Sequence, residues 1–175
     1  MRFFFPLMLA FLIWKPAIAQ LQPQDTGSSV QFKIKNLGFN VTGSLTGLAG
    51  KVRFDPAHPE DAAFDVTVNS GTINTDNGMR DDHLRGESYF NAAKYPTIHL
   101  ASTKVTQQRK GAFVFTGQLT IKDHTKEISF PFSATETGGA IRFQGSFSIN
   151  RKDFEIGGFS TISSELEVIL DVIAK

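Results

Sequence analysis

The stretch Phe113-Val114-Phe115-Thr116-Gly117-Gln118-Leu119-Thr120-Ile121 decides the fold. Large apolar residues fall on every second position, apart from one glycine, and the residues between them are smaller or polar. Period two is the repeat of a β-strand, whose successive side chains point to opposite faces, so this stretch predicts a strand with one buried face. A glycine inside the buried phase marks a bend or bulge. The pattern extends outward in both directions. Toward the C-terminus come Ile128, Phe130 and Phe132, then Ile141, Phe143, Gly145, Phe147 and Ile149, then Leu166, Val168, Leu170 and Val172. Toward the N-terminus come Ile98, Leu100 and Ser102, then Phe64, Val66 and Val68, then Val52 and Phe54, then Phe32 and Ile34. Lys122-Asp123-His124 and Gly138-Gly139 read as turns between strands. About eight such segments predict an all-β fold, a sandwich or a closed antiparallel barrel, and long strands bent at glycine favour the barrel. Ile169 and Ile173, on the opposite phase of the last strand, predict that its outer face is covered as well.

The chain has 175 residues, with 18 Lys+Arg against 17 Asp+Glu. Its first 19 residues have the three parts of a secretory signal peptide: Arg2, an apolar run from Phe3 to Trp14, and Ala17-Ile18-Ala19 as the cleavage site. That run is shorter than the roughly 20 residues a membrane-spanning helix needs, and no spanning run follows it. Residues 1–19 are therefore expected to be removed, leaving residues 20–175 as one exported domain. Arg2 and Lys15 leave with the leader, so the net charge of +1 becomes −1. That balance argues against nucleic acid as a partner, because phosphate binding needs a basic face. Cysteine is absent, which excludes disulfides, a thiol nucleophile and an anchor attached through a thiol.

Asn74 to Asn91 breaks the period-two pattern. Thr75 or Asp76 is placed to cap a short helix from about Asn77 to Arg85, and a turn is expected around Ser88-Tyr89-Phe90. Arg80, His83 and Leu84 share one helical face, and Asp81 and Arg85 are spaced to pair across one turn. Such an excursion is expected to plug one end of a barrel. Arg80 and His83 then have two readings. Either Arg80 pairs with a carboxylate and His83 with backbone to fix the plug, or the two present donors at the barrel mouth to the polar head of an apolar ligand.

Catalytic signatures are missing. No HExxH pair or Gly-rich phosphate loop occurs, and Gly158-Phe159-Ser160 lacks the second glycine of a nucleophile elbow. Asp81-Asp82-His83 does not converge on one ion, because consecutive helical residues point about 100° apart, so no metal site and no catalytic residue is expected. Of 17 Phe, the 13 beyond the leader fall largely on inward strand positions. Small barrels either fill their interior or enclose one ligand, and alternation alone does not separate the two.

Taken together, these residues resemble the YceI-like family of exported polyisoprenoid-binding barrels, over roughly Ser28 to Lys175. The similarity rests on Arg80-Asp81-x-His83-Leu84-Arg85, Tyr89-Phe90 and Tyr95-Pro96-x-Ile98. Asn36-Leu37-Gly38, Phe54-Asp55-Pro56, Gly117-x-Leu119-Thr120-Ile121 and Asn150-Arg151-x-Asp153-Phe154 accompany them in the same order. Where many members carry a histidine after the first strand, this chain has Asn36. The resemblance implies a lipocalin-like antiparallel barrel with a long apolar tunnel that holds an isoprenoid chain of quinone or polyprenyl type. Carried over by position, the wall is drawn from Phe32, Phe54, Phe115, Phe130, Phe132, Phe143 and Phe147, with Leu84 and Phe90 from the plug and Arg80 and His83 at the polar mouth. The expectation is a lipid carrier with no cofactor of its own. Its rivals are a filled barrel that binds another envelope protein through its surface and an enzyme acting on a lipid.

Overall fold

The computed structural model describes residues 20–158 and 161–175. The expected leader and its cut lie outside the described residues, as do Phe159 and Ser160. The strands are β1 (Gln20–Leu21), β2 (Pro23–Asn36), β3 (Phe39–Leu45), β4 (Ala49–Arg53), β5 (Ala63–Asn69), β6 (Thr97–Arg109), β7 (Ala112–Ile121), β8 (His124–Thr137), β9 (Ala140–Asn150) and β10 (Ile162–Ala174). They form one antiparallel sheet in the order β1-β4-β5-β6-β7-β8-β9-β10-β2-β3, with the helix α1 (Gly78–Arg85) between β5 and β6.

Ten strands stand where about eight were expected. β1 is two residues long, too short to carry a period, and in β3 the alternation breaks at Gly43. Both matter for closure. β1 pairs with β4 and β2 pairs with β10, yet only Gln22 separates β1 from β2. Gln22 and Lys175 exchange backbone hydrogen bonds at 2.8 and 3.0 Å. The curled sheet therefore comes round on itself through the N-terminal strand segment, which satisfies backbone groups that an open edge would leave unpaired.

Inward phases match across neighbours, because directly opposed residues of an antiparallel pair share a face. Phe113 opposes Phe132, Phe115 opposes Phe130, and Val168 lies between Phe147 and Phe32. Gly138 and Gly139, both at positive φ, form the two-residue turn between β8 and β9. Ile169 and Ile173, on the outer face of β10, are half-buried. At Gly117 the register of β6 slips by one residue between Ser102 and Lys104. The two backbones approach so closely there that a Cβ on Gly117 would lie 2.2 Å from the Ala101 carbonyl oxygen. β8 and β9 pair only as far as Phe132 and Gly145, after which β9 continues beside β10 alone. The two inward glycines thus lie where β7 meets a bulge and where β9 leaves β8.

Gly117→Ala should lower stability by about 3 kcal/mol, because the obstacle is backbone that cannot rotate away. Urea denaturation checks this, and a loss below about 1 kcal/mol would show that the bulge relaxes freely.

Candidate functional site

The two ends of the barrel differ. One end carries the β2–β3 turn, the segment between β5 and β6 with α1, the β7–β8 turn and the link between β9 and β10. The other carries β1, the β6–β7 and β8–β9 turns and the C-terminus, and it is packed with aromatic rings. Phe54 and Phe113 meet edge to face at 5.1 Å, as do Phe54 and Phe143 at 5.2 Å and Phe64 and Phe143 at 5.3 Å. Phe113 is fully buried. Phe130 stacks on Phe147 at 4.6 Å and on Phe115 at 5.0 Å midway along the barrel.

Between the two ends lies a cavity of about 230 Å³. Phe32, Leu84, Phe90, Phe115, Phe130, Phe132, Phe143, Phe147 and Arg80 all face it. Two of the residues singled out from the sequence do not. Phe54 is buried behind the wall, because β4 ends one residue before it and its ring turns into the aromatic end. His83 is exposed and sets its ring edge-on to Tyr89 at 5.1 Å, so it lies outside the cavity. Sequence reasoning fixed on phenylalanine and passed over Ile34, Val66, Leu100, Leu119, Val168 and Leu170, which line the same cavity. Their signal was already present, since they sit on the inward phase of the strands. Tyr89, Thr75 and Arg151 carry no periodic signal, yet they also line it.

The polar groups at the α1 end are built around Thr75. Asp81 is 4% exposed, and its Oδ1 accepts from the Thr75 amide at 2.9 Å and from the Thr75 hydroxyl. Arg80 donates from Nε to the same hydroxyl at 2.6 Å and from Nη2 to the Thr75 carbonyl at 2.7 Å. The hydroxyl therefore joins guanidinium to carboxylate, and among the described residues Arg80 makes no direct carboxylate pair. This differs from both sequence expectations for the helix. The cap is Asn77, whose Oδ1 accepts from the Arg80 amide at 3.0 Å, so α1 begins at Gly78. Arg85 pairs with Asp82 at 2.7 Å rather than with Asp81, because Asp81 is drawn inward by Thr75. Arg85 also donates to the carbonyls of Gly71 and Ile73, which ties α1 back along the segment that precedes it.

Arg151 is 3% exposed and is held by backbone carbonyls of Ser163, Ile156, Gly157 and Ile162. It clamps the link between β9 and β10. Asn36 stands at the end of β2 beside the cavity, and its Oδ1 accepts from the Thr161 hydroxyl at 2.9 Å. Leu37 and Phe39, on either side of Gly38 in the adjacent turn, are 70% and 79% exposed.

Charged pairs elsewhere lie on the outer wall. Arg142 donates to both oxygens of Asp171, at 2.6 and 2.7 Å. That hydrogen bonding is the largest influence holding the Asp171 carboxyl below the usual carboxylate range; partial burial opposes it and Gln144 adds to it. His99 and Asp65 pair at 2.7 Å, and His124 lies 3.2 Å from Asp123. Among the described residues no group of three or more His, Cys, Asp or Glu side chains is placed to hold a metal ion, and no helix is long and apolar enough to cross a membrane.

Thr75→Val keeps the side-chain shape but removes the hydroxyl that joins Arg80 to Asp81. It should lower stability by about 2 kcal/mol, whereas Thr75→Ser should lose less than about 1 kcal/mol. Equal losses in urea denaturation of the two variants would mean that the hydroxyl is not the connecting element.

With this geometry in place, comparison with known proteins is specific. The family model for the YceI-like domain matches residues 21–174. A UPF0312 protein of Yersinia pestis (strain Pestoides F) is 34% identical over 151 residues, covering 82% of this chain and 78% of the relative. The crystal structure of BcnA from Burkholderia cenocepacia superposes with a TM-score of 0.83 at 22% identity, covering 87% of this chain and 99% of that one. A polyisoprenoid binding domain from Saccharophagus degradans, implicated in plant cell wall breakdown, superposes with a TM-score of 0.72 at 12% identity, covering 89% and 97%. At those identities the two solved structures establish a shared fold. The family match over nearly the whole described chain, together with the Yersinia relative, establishes more than fold: this chain belongs to the YceI-like family.

Proposed function

We propose that this protein binds and carries an apolar chain lipid, of isoprenoid quinone or polyprenyl type, in the barrel cavity and performs no chemistry on it. The observation that carries this reading is an apolar cavity of about 230 Å³ in the middle of the domain. Apolar side chains that face an unfilled space lack part of the packing contacts of a filled core. A bound hydrocarbon recovers such packing and gains about 0.8 kcal/mol for each CH₂ withdrawn from water, less the cost of ordering the chain. The similarity in fold to a polyisoprenoid binding domain supports the same class of ligand. A filled barrel acting only through its outer surface would have no use for such a cavity.

The head group rests at the α1 end. Arg80 lines the cavity and uses Nε and Nη2 on Thr75. Its guanidinium has five N–H donors, so others remain to meet a quinone carbonyl or a prenyl phosphate. Leu37 and Phe39 give that end an apolar rim for an entering chain. The leader-like residues 1–19 support export to the periplasm as part of this proposal, and in that compartment a water-insoluble chain would need a carrier to cross an aqueous space.

A substitution that fills the cavity should move stability and binding in opposite directions. Val168→Phe, between Phe147 and Phe32, should raise the urea midpoint of the ligand-free protein and weaken farnesol binding at least about tenfold. Unchanged binding in that folded variant would place the ligand elsewhere. For the head group, Arg80→Met should weaken farnesyl phosphate binding by about tenfold while changing farnesol affinity little. Titration calorimetry on both probes checks this, and equal losses on the two would remove Arg80 from head-group recognition.

A further inference from the structure

Phe54 occupies an unusual place. It continues the inward phase of β4 after Val52, which lines the cavity, and it is buried, yet it does not face the cavity itself. Its ring stands behind the rings that form that end of the wall. Phe143 meets it edge to face at 5.2 Å, and Phe64 and Phe132 lie at 6.1 Å. All three of those rings line the cavity. On its other side, Phe54 borders a depression at the barrel end opposite α1, together with Leu21, Glu136, Gly139, Ala140 and Ile141. The Phe54 ring thus stands between the cavity and the depression at that end of the barrel.

We infer that Phe54 is the stopper at the end of the cavity opposite α1, and that it sets the length of chain the protein accepts. This rests on the reading of the cavity as a lipid site. A chain entering past Arg80 runs down the barrel along Phe147 and Phe130 and ends against Phe143, Phe132 and Phe64. These rings have Phe54 packed behind them, which holds them in place. Prenyl chains grow in five-carbon steps, so a fixed floor discriminates by number of units. Each added unit increases binding until the chain meets the floor, and further units stay in water at the mouth. Without the Phe54 ring, the floor rings can swing toward the depression beyond Gly139, and the barrel becomes a tunnel open at both ends. The depression is bordered by small residues, Gly139 and Ala140, which leave room for an emerging chain end.

The test compares geraniol, farnesol, geranylgeraniol and solanesol on the wild-type chain, Phe54→Ala and Phe54→Leu, by calorimetry. The wild type should gain affinity with each added unit and then level off. Both variants should match it within about twofold for geraniol and bind the longest probe at least about tenfold more tightly. Parallel length profiles in all three proteins would overturn the inference. Absence of binding by the wild type for every probe would instead overturn the reading of the cavity on which it rests. A second measurement does not depend on removing the ring. The chain has one tryptophan, Trp14. Trp14 belongs to the expected leader, so in the processed chain of a Phe54→Trp protein the new indole reports on the floor alone. A fatty alcohol brominated at its tail should quench that fluorescence, and one brominated beside its hydroxyl should not. Equal quenching by the two, or none from the tail in a protein that binds the probe, would place the chain end elsewhere.

Discussion

The rest of the structure depends on closure of one antiparallel sheet around an inward face that is apolar on almost every strand. Closure follows from a single chain segment being used twice: Gln20–Leu21 bonds to β4, and the residues just after them bond to β10. Once the sheet is curled, period two delivers the large side chains of β2, β5, β7, β8, β9 and β10 to a common interior. Those side chains leave a cavity between the two ends. At the end opposite α1, five phenylalanines fill the interior with edge contacts. The cavity is what remains between a packed floor and a helical cover.

The cover holds a different kind of interaction. An apolar barrel end offers nothing to the polar backbone of the segment crossing it, so that segment supplies its own partners. Thr75 bonds Asp81 and Arg80, Asn77 caps the helix, and Arg85 ties the helix back to Gly71 and Ile73. Arg151 does the same for the link between β9 and β10 through backbone carbonyls. Three arginines thus serve as connectors at one end of the barrel. Arg80 and Arg151 also face the cavity, so this end combines its own cross-links with cationic side chains at the cavity wall.

How much of this was legible in the sequence follows from which interactions repeat. The inward face repeats, so the strands from Phe113 to Val172 were readable by phase, and with them the inward placing of Phe32, Phe115, Phe130, Phe132, Phe143 and Phe147; Leu84 and Phe90, on the segment without that period, were not. β1 and β3 were not, since one is too short and the other loses alternation at Gly43. Phe54 was misplaced because phase states which face a residue occupies and says nothing of depth: the ring is inward, but beyond the end of the cavity. His83 was misplaced for the complementary reason. Sharing a helical face with Arg80 and Leu84 sets direction to within a wide arc, and an eight-residue helix crossing a barrel end covers the opening with only part of that arc. The Thr75 connection had no sequence signal, because a hydroxyl that accepts from one charge and donates to another is fixed by tertiary geometry.

On the function proposed above, a prenyl-type chain occupies the cavity while the protein is at work. Mass spectrometry of the organic extract from protein isolated without detergent from its native compartment tests this most directly. One lipid with a prenyl chain per protein chain is expected, and the same spectrum identifies its head group. A lipid-free extract, from protein that also leaves added ubiquinone and polyprenyl phosphates unbound, would contradict the proposal.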